Sequence, residues 1–329
     1  MNWLITGGCG FIGLNLVRRL VESGDHNVRV VDSLSSGSLV ALKQLGNVKE
    51  IDSQAMAAPA DGLEFVLGDI LDRKLMAKVC SHADTIVHLA ANTGVQPSVE
   101  NPIFDCETNV VGTINLLEAA RATNAKRFVF SSSGAPVGSV TPPIHENLPA
   151  RPVSPYGASK LAGEAYCSAY ANCFGVETVA LRFGNVYGPG STHKQSVVAR
   201  FLNAAFEGSD LEIYGNGHQT RDFIYVDDLV EAILLAASAD GSKVSGEIFQ
   251  IATNRETSVR ELLDVVLNEL KKVGLESPSV RYSDPRVGDV ERNFSDTSKA
   301  RNLLGWESSK SLSDGICATV EHFLTSRKD

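Results

Sequence analysis

The sequence predicts an α/β fold: a doubly wound parallel sheet joined to a smaller, interleaved C-terminal lobe. Three observations carry this. Short apolar runs alternate with helical patterns from the first residue to about residue 183, and such alternation implies right-handed crossovers between parallel strands. Three glycines, Gly7, Gly10 and Gly13, stand between the first apolar run and the first helical pattern. Beyond about residue 183 the rhythm gives way to Gly, Pro, Asn and Tyr clusters, GNVYGPG and IYGNGHQTRDFIYVDD.

The elements follow in order. NWLIT (2–6), VRVVD (28–32), LEFVL (63–67), DTIVHLA (84–90), KRFVFS (126–131) and VETVALR (176–182) read as buried strands, since strands covered on both faces are near-continuous apolar runs. Ile12, Leu16 and Leu20 mark one face of the first helix, which Gly24 closes,. Val110, Ile114 and Leu117 mark a later helix that begins near Asn101 and Pro102,. Residues 46–62, rich in Ala, Asp and Gly, read as a surface insertion,. Further helical patterns fall near 196–207, 227–238 and 258–273. VDDLVEAILLAA (226–237) and EIFQIA (247–252) have the character of core helix and strand. The expected organisation is therefore a dinucleotide-binding domain over 1–183 that also receives about 224–252, and a smaller lobe over 184–329.

Bulk properties narrow the function. The chain is 43% hydrophobic, enough for a sizeable core. A net charge of −9 with no basic block argues against nucleic acid and anionic lipid as partners. Six cysteines at irregular spacings, with no Cys-x-x-Cys pair, indicate neither a metal site nor a disulfide framework. The start MNWLITGGCG has no signal-like pattern and no stretch approaches a membrane span,. A reducing cytoplasm fits this usage best.

The glycine triplet sits where a phosphate-binding turn belongs. Glycines let the backbone approach a pyrophosphate, while the following helix offers free N–H groups and a partial positive charge. Asp32 ends the second strand 19 residues after Gly13, placed to accept hydrogen bonds from an adenosine ribose. The following SLSSGS has no Arg or Lys to receive a 2′-phosphate, so the spacing favours NAD. Phe11 and Ile12 in the turn, Ser33 beside Asp32, Asp69 and Ile70 after the third strand, and Leu89, Ala90 and Ala91 after the fourth lie at strand ends where an open sheet holds its ligand. A plain turn and a surface aspartate are the alternatives.

SPYGASK (154–160) sets Tyr156 and Lys160 one helical turn apart behind a capping Ser154 and Pro155,. That spacing alone arises readily by chance. Its company is Ser131, Ser132 and Ser133 at the end of the fifth strand, on the same sheet edge. TGGCGFIG, HLAA (88–91), NVVGTINLLEAA (109–120), FSSS, SPYGASK, RFGNVYGPG, QTRDFIYVDD and RVGD occur in this order along essentially the whole chain. The set resembles the extended short-chain dehydrogenase/reductase family, specifically its NAD-dependent nucleotide-sugar epimerases and dehydratases, which implies a Rossmann-type domain and NAD. The resemblance places the catalytic roles on Ser133, Tyr156 and Lys160, and puts Ser131, Tyr156 and Lys160 also beside the cofactor. Physically, lowering a tyrosine from near 10 by about three units needs roughly 4 kcal/mol. An ammonium about 4 Å away supplies roughly that at an effective dielectric near 20. Tyr156 would then take a sugar hydroxyl proton while hydride moves to NAD, with Ser133 holding the same oxygen.

A nucleoside diphosphate bound by an acidic protein calls for local arginines, and Arg221 and Arg286 qualify; either could instead form a surface salt bridge. The resemblance implies that these two clasp the diphosphate, that Asp289 holds the uridine ribose, and that Asn185 and Tyr214 contact sugar, diphosphate or base. Related 4,6-dehydratases carry an Asp-Glu pair beside the catalytic Ser or Thr. This chain has Gly134 and Ala135 there, which leaves 4-epimerization of a UDP-sugar (hexose, N-acetylhexosamine or uronate) as the expected reaction. Decarboxylation, dehydration or 4-reduction through the same 4-keto chemistry, and a non-catalytic NAD sensor, are the alternatives. Where most relatives read V-Y-G after the serine, this chain reads Pro136-Val137-Gly138. Asn293 falls where some relatives have a bulky tyrosine. The resemblance also implies a homodimer through the helices near 101–123 and 154–174.

Overall fold

The computed structural model describes residues 1–53, 62–276, 278–285 and 290–326. Seven strands alternate with helices along the first part of the chain: β1 (Asn2–Thr6), β2 (Asn27–Asp32), β3 (Val48–Glu50), β4 (Leu63–Leu67), β5 (Thr85–His88), β6 (Arg127–Ser133) and β7 (Thr178–Phe183). The strand Glu247–Ile251 completes an eight-stranded sheet beside β7, followed across the sheet by β6, β5, β1, β2, β4 and β3. Every pairing in it is parallel. The apolar runs of the sequence are these strands because each is covered by helices on both faces: Leu4, Ile5, Val30, Val66, Ile86, Val87, Phe128 and Val179 are all at most 1% exposed.

β3 departs from the expected surface insertion. It is short and half-solvated, with Lys49 and Glu50 exposed, so nothing in its composition distinguishes it from a loop. Pairing to β4 makes it the sheet edge.

The strand order reverses at β1, which pairs with β2 on one side and β5 on the other. An open parallel sheet parts its crossovers at such a point, leaving a crevice at the carboxyl ends. The glycine turn after β1 and the Leu89–Ala91 segment after β5 flank it.

Helix α1 (Phe11–Ser23) buries Phe11, Leu16, Val17 and Leu20 against the sheet and ends at Gly24, whose φ of +73° supplies the left-handed cap,. The helix Val226–Ser238 packs beside α1, with Leu229, Val230 and Ile233 in the same core. Arg18 to Asp227 at 2.8 Å and Arg19 to Glu231 at 3.1 Å tie the two helices at the surface. Ala300, Leu304 and Trp306 return to this core from the last third of the chain. Trp306 is pinned there by donating Nε1–H to the Asp228 carbonyl at 2.9 Å.

A separate core belongs to the C-terminal lobe. It gathers Tyr187, Phe201, Leu202, Leu211, Ile213, Leu262, Val266, Ile316 and Phe323. The helices Val197–Phe206 and Val259–Lys272 contribute their apolar faces, and Ser258 with Glu261 forms a reciprocal capping box at the start of the second,. Among the described residues no helix is long and apolar enough to cross a membrane.

Candidate active site

A cleft of about 500 Å³ runs along the carboxyl ends of β1, β2, β4, β5 and β6. Gly7, Gly10, Phe11, Ile12, Gly13, Asp32, Ser33, Asp69, Ile70, Leu89, Ala90, Ala91, Ser131, Tyr156 and Lys160 all line it. These are the residues that the sequence nominated for the cofactor, drawn from six separate stretches of chain.

The turn is glycine for steric reasons. Gly7 has φ of +70°, and a Cβ there would lie 2.6 Å from the Ala90 nitrogen. A Cβ on Gly13 would run into the Gly7 carbonyl and come within 2.5 Å of the Gly8 Cα. Without side chains, the turn lies directly on the end of β5. Gly10 caps α1 with no side-chain acceptor, and the first turn carries no acid. The first i→i−4 bond runs from Leu14 N–H to the Gly10 carbonyl at 2.8 Å. The amides of Phe11, Ile12 and Gly13 therefore precede the hydrogen-bonded ladder, as an anion site at a helix N-terminus requires.

Asp32, 8% exposed, fastens the turn to the end of β2. Its Oδ2 accepts from Cys9 N–H at 2.9 Å and its Oδ1 from Leu34 N–H at 2.8 Å. Each carboxylate oxygen keeps a second acceptor site for ribose hydroxyls. Lys160 and Lys194 are the cationic residues that line the cleft, and neither belongs to the segment after β2. A steric cradle, a free helix N-terminus and an acid at the ribose position fit NAD.

The helix Pro155–Phe174 carries the tyrosine and the lysine. Ser154 Oγ accepts from Gly157 N–H at 3.1 Å and Pro155 takes the first helical position. Two glycines let this helix sit low on the sheet: a Cβ on Gly163 would strike the Phe130 ring, and one on Gly157 would lie 2.7 Å from the Ala135 carbonyl. That approach brings Lys160, 3% exposed, to the Ser131 carbonyl, to which its Nζ donates at 2.8 Å.

The Ser133 side chain acts to favour the Tyr156 phenolate. Burial acts the other way and is stronger, and the buried Asp105 adds to it, so the phenol is pushed up to about 12. This corrects the expectation that an adjacent ammonium alone makes the phenol acidic. Lys160 Nζ is 5.9 Å from the Tyr156 ring centre and directed at a backbone carbonyl. Burial also lowers Lys160, to about 8, against the attraction of Asp105 and Glu164.

Asp105 and Glu164 are residues that the sequence reading missed. Asp105, 1% exposed, accepts from Asn109 Nδ2 at 3.0 Å and Asn92 Nδ2 at 3.3 Å; Asn109 also reaches Ser159 Oγ at 3.1 Å. The available signal was the four-residue spacing of Asp105 and Asn109 at the start of the NVVGT motif. Glu164 is one helical turn beyond Lys160 and is held by Arg182 through two contacts of 2.7 Å. Asn92, Thr93, Phe104, Thr108, Phe183, His193 and Lys194 also line the cleft, none of them nominated from the sequence.

The nominated substrate residues lie apart from the lining. Asn185 is exposed at the start of the strand Asn185–Tyr187. Arg221 donates Nη1–H to the Thr220 and Val290 carbonyls at 2.6 and 2.7 Å. The Tyr214 hydroxyl donates to Glu212 Oε2 at 2.6 Å, and the Arg200 guanidinium lies 4.8 Å from its ring. Arg286 and Asp289 lie outside the described residues. Val137 fills the position where relatives carry a tyrosine and is fully buried. Asn293 donates its backbone N–H to Thr220 Oγ1 at 3.3 Å.

A doubly wound sheet with a glycine turn at its switch point and a Tyr-x-x-x-Lys helix at the same edge defines an NAD-dependent oxidoreductase scaffold of the short-chain type. The chain belongs to the NAD dependent epimerase/dehydratase family, whose model matches residues 3–252, and NAD is its cofactor. It is 38% identical over 328 residues to the UDP-glucose 4-epimerase of Mycolicibacterium smegmatis, covering 98% of each chain. It is also 32% identical to a dTDP-glucose 4,6-dehydratase of Streptomyces niveus, across 99% of this chain and 94% of that one. The crystal structure of UDP-glucose 4-epimerase with UDP-glucose from Thermotoga maritima superposes with a TM-score of 0.86 at 36% identity, covering 99% of this chain and 100% of that one. The protein is thus a nucleotide-sugar epimerase/dehydratase-type enzyme.

Proposed function

We propose that the protein interconverts 4-epimers of a UDP-sugar (hexose, N-acetylhexosamine or uronate), with Ser133, Tyr156 and Lys160 as its catalytic residues. The observation that carries this reading is that Gly134 and Ala135 follow Ser133, which favours the Tyr156 phenolate from the end of β6. An elimination needs a second acid and base beside the sugar, and those two positions supply neither. NAD, which the glycine turn and Asp32 would hold, would supply the hydride acceptor and donor for the sugar carbon.

Tyr156 removes the proton from the C4 hydroxyl and later gives it back. Ser133 holds the oxygen that loses it. Lys160, as an ammonium below about pH 8, contributes positive charge at the buried end of the site and positions the nicotinamide ribose. Because the phenol stands near 12, its ionised form is about five orders of magnitude scarcer than the phenol at pH 7. Tyr156 would therefore need further positive charge in its surroundings, which NAD held in the cleft would supply. Asn185, Tyr214, Arg221, Arg286 and Asp289 are proposed to hold the nucleotide-sugar from the C-terminal lobe.

We propose the domain limits 1–183 with 224–252, and 184–329, with Ala300, Leu304 and Trp306 of the second unit packing into the first core. A homodimer through the helices near 101–123 and 154–174 is supported by the exposed apolar side chains Ile103, Val111, Tyr166 and Phe174. A cytoplasmic location is supported by six cysteines that all remain free thiols.

The test is incubation with UDP-glucose, UDP-N-acetylglucosamine and UDP-glucuronate without added NADH. A mixture of 4-epimers from at least one of them is expected. Tyr156→Phe should lower the rate by about 10²–10⁴-fold, and full turnover by that variant would refute the mechanism. Product that forms only when NADH is added and consumed in a parallel incubation, or released CO₂, would instead assign a 4-reductase or decarboxylase.

A further inference from the structure

The cofactor cleft is closed from above by a piece of chain that belongs to the substrate lobe. After the strand Asn185–Tyr187 the backbone turns back over the first turn of α1. The Pro189 carbonyl accepts from Asn15 Nδ2 at 3.1 Å, and the same amide group donates to the Phe11 carbonyl at 2.9 Å. Gly190 lies against Phe11, where an added Cβ would come within 3.7 Å of the ring. The turn that follows is well tied. Ser191, 1% exposed, donates Oγ–H to the Gly188 carbonyl at 2.6 Å, Lys194 N–H reaches the Ser191 carbonyl at 2.9 Å, and Asn203 Nδ2 holds the Thr192 carbonyl at 2.7 Å. Lys194 is thereby fixed through its backbone, and it lines the same cleft as Gly10, Ile12 and Gly13.

Among the described residues the cleft is lined by Lys160 and Lys194 and by Asp32 and Asp69, and the two acids are engaged with the backbone amides of Cys9, Leu34 and Leu71. A pyrophosphate brings two negative charges, while the glycine turn answers with backbone amides and a partial dipole charge. Among the described residues Lys160 is the other cationic residue of the lining, and it is engaged with the Ser131 carbonyl. Lys194 has no ion pair or side-chain hydrogen bond among the described residues, and burial lowers its pKa with no acid acting to restore it. A half-buried ammonium left without an anion is unfavourable, and a phosphoryl group on the α1 N-terminus would relieve it.

We infer that Lys194 is a cofactor-retaining residue: an ammonium carried by the substrate lobe that pairs with the pyrophosphate of NAD on the opposite lobe. The inference rests on the family's NAD dependence and not on which sugar is turned over. It gives a physical reason why the dinucleotide stays bound through a cycle that regenerates it: release requires the 188–194 segment to lift from α1.

The experiment uses the full-length protein with Lys194→Ala and Lys194→Arg. Dissociation of NAD is followed by its retention on dialysis, and isothermal titration of the cofactor-depleted chain compares NAD, ADP-ribose, adenosine and UDP. Lys194→Ala should weaken NAD and ADP-ribose alike by about 10- to 100-fold, the range of a charge-assisted contact. Adenosine and UDP should bind as before, and Lys194→Arg should recover most of the loss. Unchanged affinity for NAD and ADP-ribose would overturn the assignment. So would a loss confined to UDP, which would put the lysine on the sugar nucleotide, or an equal loss for adenosine, which would mark a general collapse of the cleft. None of these readings depends on turnover, so a failure of the epimerase proposal would leave them intact.

Discussion

Ser133 is the most informative position in the site, because it is the one neighbour that acts to acidify Tyr156 while burial and Asp105 oppose it. Replacing it by alanine removes the one hydroxyl placed to donate to the charged form of the phenol, an interaction that when formed is worth about 1.5–3 kcal/mol. At 1.36 kcal/mol per unit, the phenol should rise by roughly one to two further pKa units. The sign follows from the chemistry: Tyr156 must be ionised to accept a proton, so a higher pKa leaves less of the working form at any pH below it. The ascending limb of kcat/KM against pH should move to higher pH by that amount, and the rate near pH 8 should fall about 10- to 100-fold. Ser133 lies half-buried at the end of β6 and its Oγ also accepts from Ala135 N–H at 3.2 Å, so thermal unfolding should be run alongside. A profile that superposes on that of the wild type would refute the reasoning. Well below the phenol's pKa both profiles rise with the same slope, so the expected drop is uniform there and the two curves converge only as the phenol ionises.

Gly13→Ala should be tolerated poorly because the new methyl group meets backbone, the Gly7 carbonyl and the Gly8 Cα. Overpacking of about 1–3 kcal/mol predicts a 10- to 100-fold loss of NAD affinity, read by titration; wild-type binding would show that the turn yields more easily than its geometry indicates. His88 is buried between Thr6 Oγ1 at 2.8 Å and Thr113 Oγ1 at 3.0 Å, and burial lowers it to about 3. Between about pH 6.5 and pH 3 the unfolded chain binds a proton that the folded one refuses, so stability conferred by neutral His88 is complete above pH 6.5 and is lost as pH falls. His88→Gln should flatten the fall in urea midpoint between pH 7 and pH 4 by the equivalent of a few kcal/mol, and an unchanged slope would count against it.

Much of the molecule could be read from local pattern. The strands β1, β2 and β4–β7 announced themselves because a strand buried on both faces must be apolar throughout, and Gly24, Ser154 and Pro155 marked helix ends through backbone chemistry that operates within four residues. The residues nominated for the cofactor were legible for a related reason: most follow the carboxyl end of a strand, Tyr156 and Lys160 share one helical turn, and both are local features. β3 was illegible because Val48–Glu50 takes its identity from pairing with β4.

What the sequence by itself determined is which groups face the sheet edge: the turn after β1, the acid after β2, and tyrosine and lysine on one helical face. Covalent spacing and periodicity act over short range and suffice for that. Only the tertiary structure decided how those groups are tuned. The low seat of the Tyr156 helix, allowed by Gly163 against Phe130, buries the phenol and turns Lys160 toward the Ser131 carbonyl, while Asp105 arrives from a different helix. Desolvation and through-space charge depend on everything within several ångströms, including residues 50 positions away along the chain such as Asn109 and Ser159. For the same reason Lys194, a lysine like many others in sequence, becomes distinctive once the substrate lobe folds it over α1.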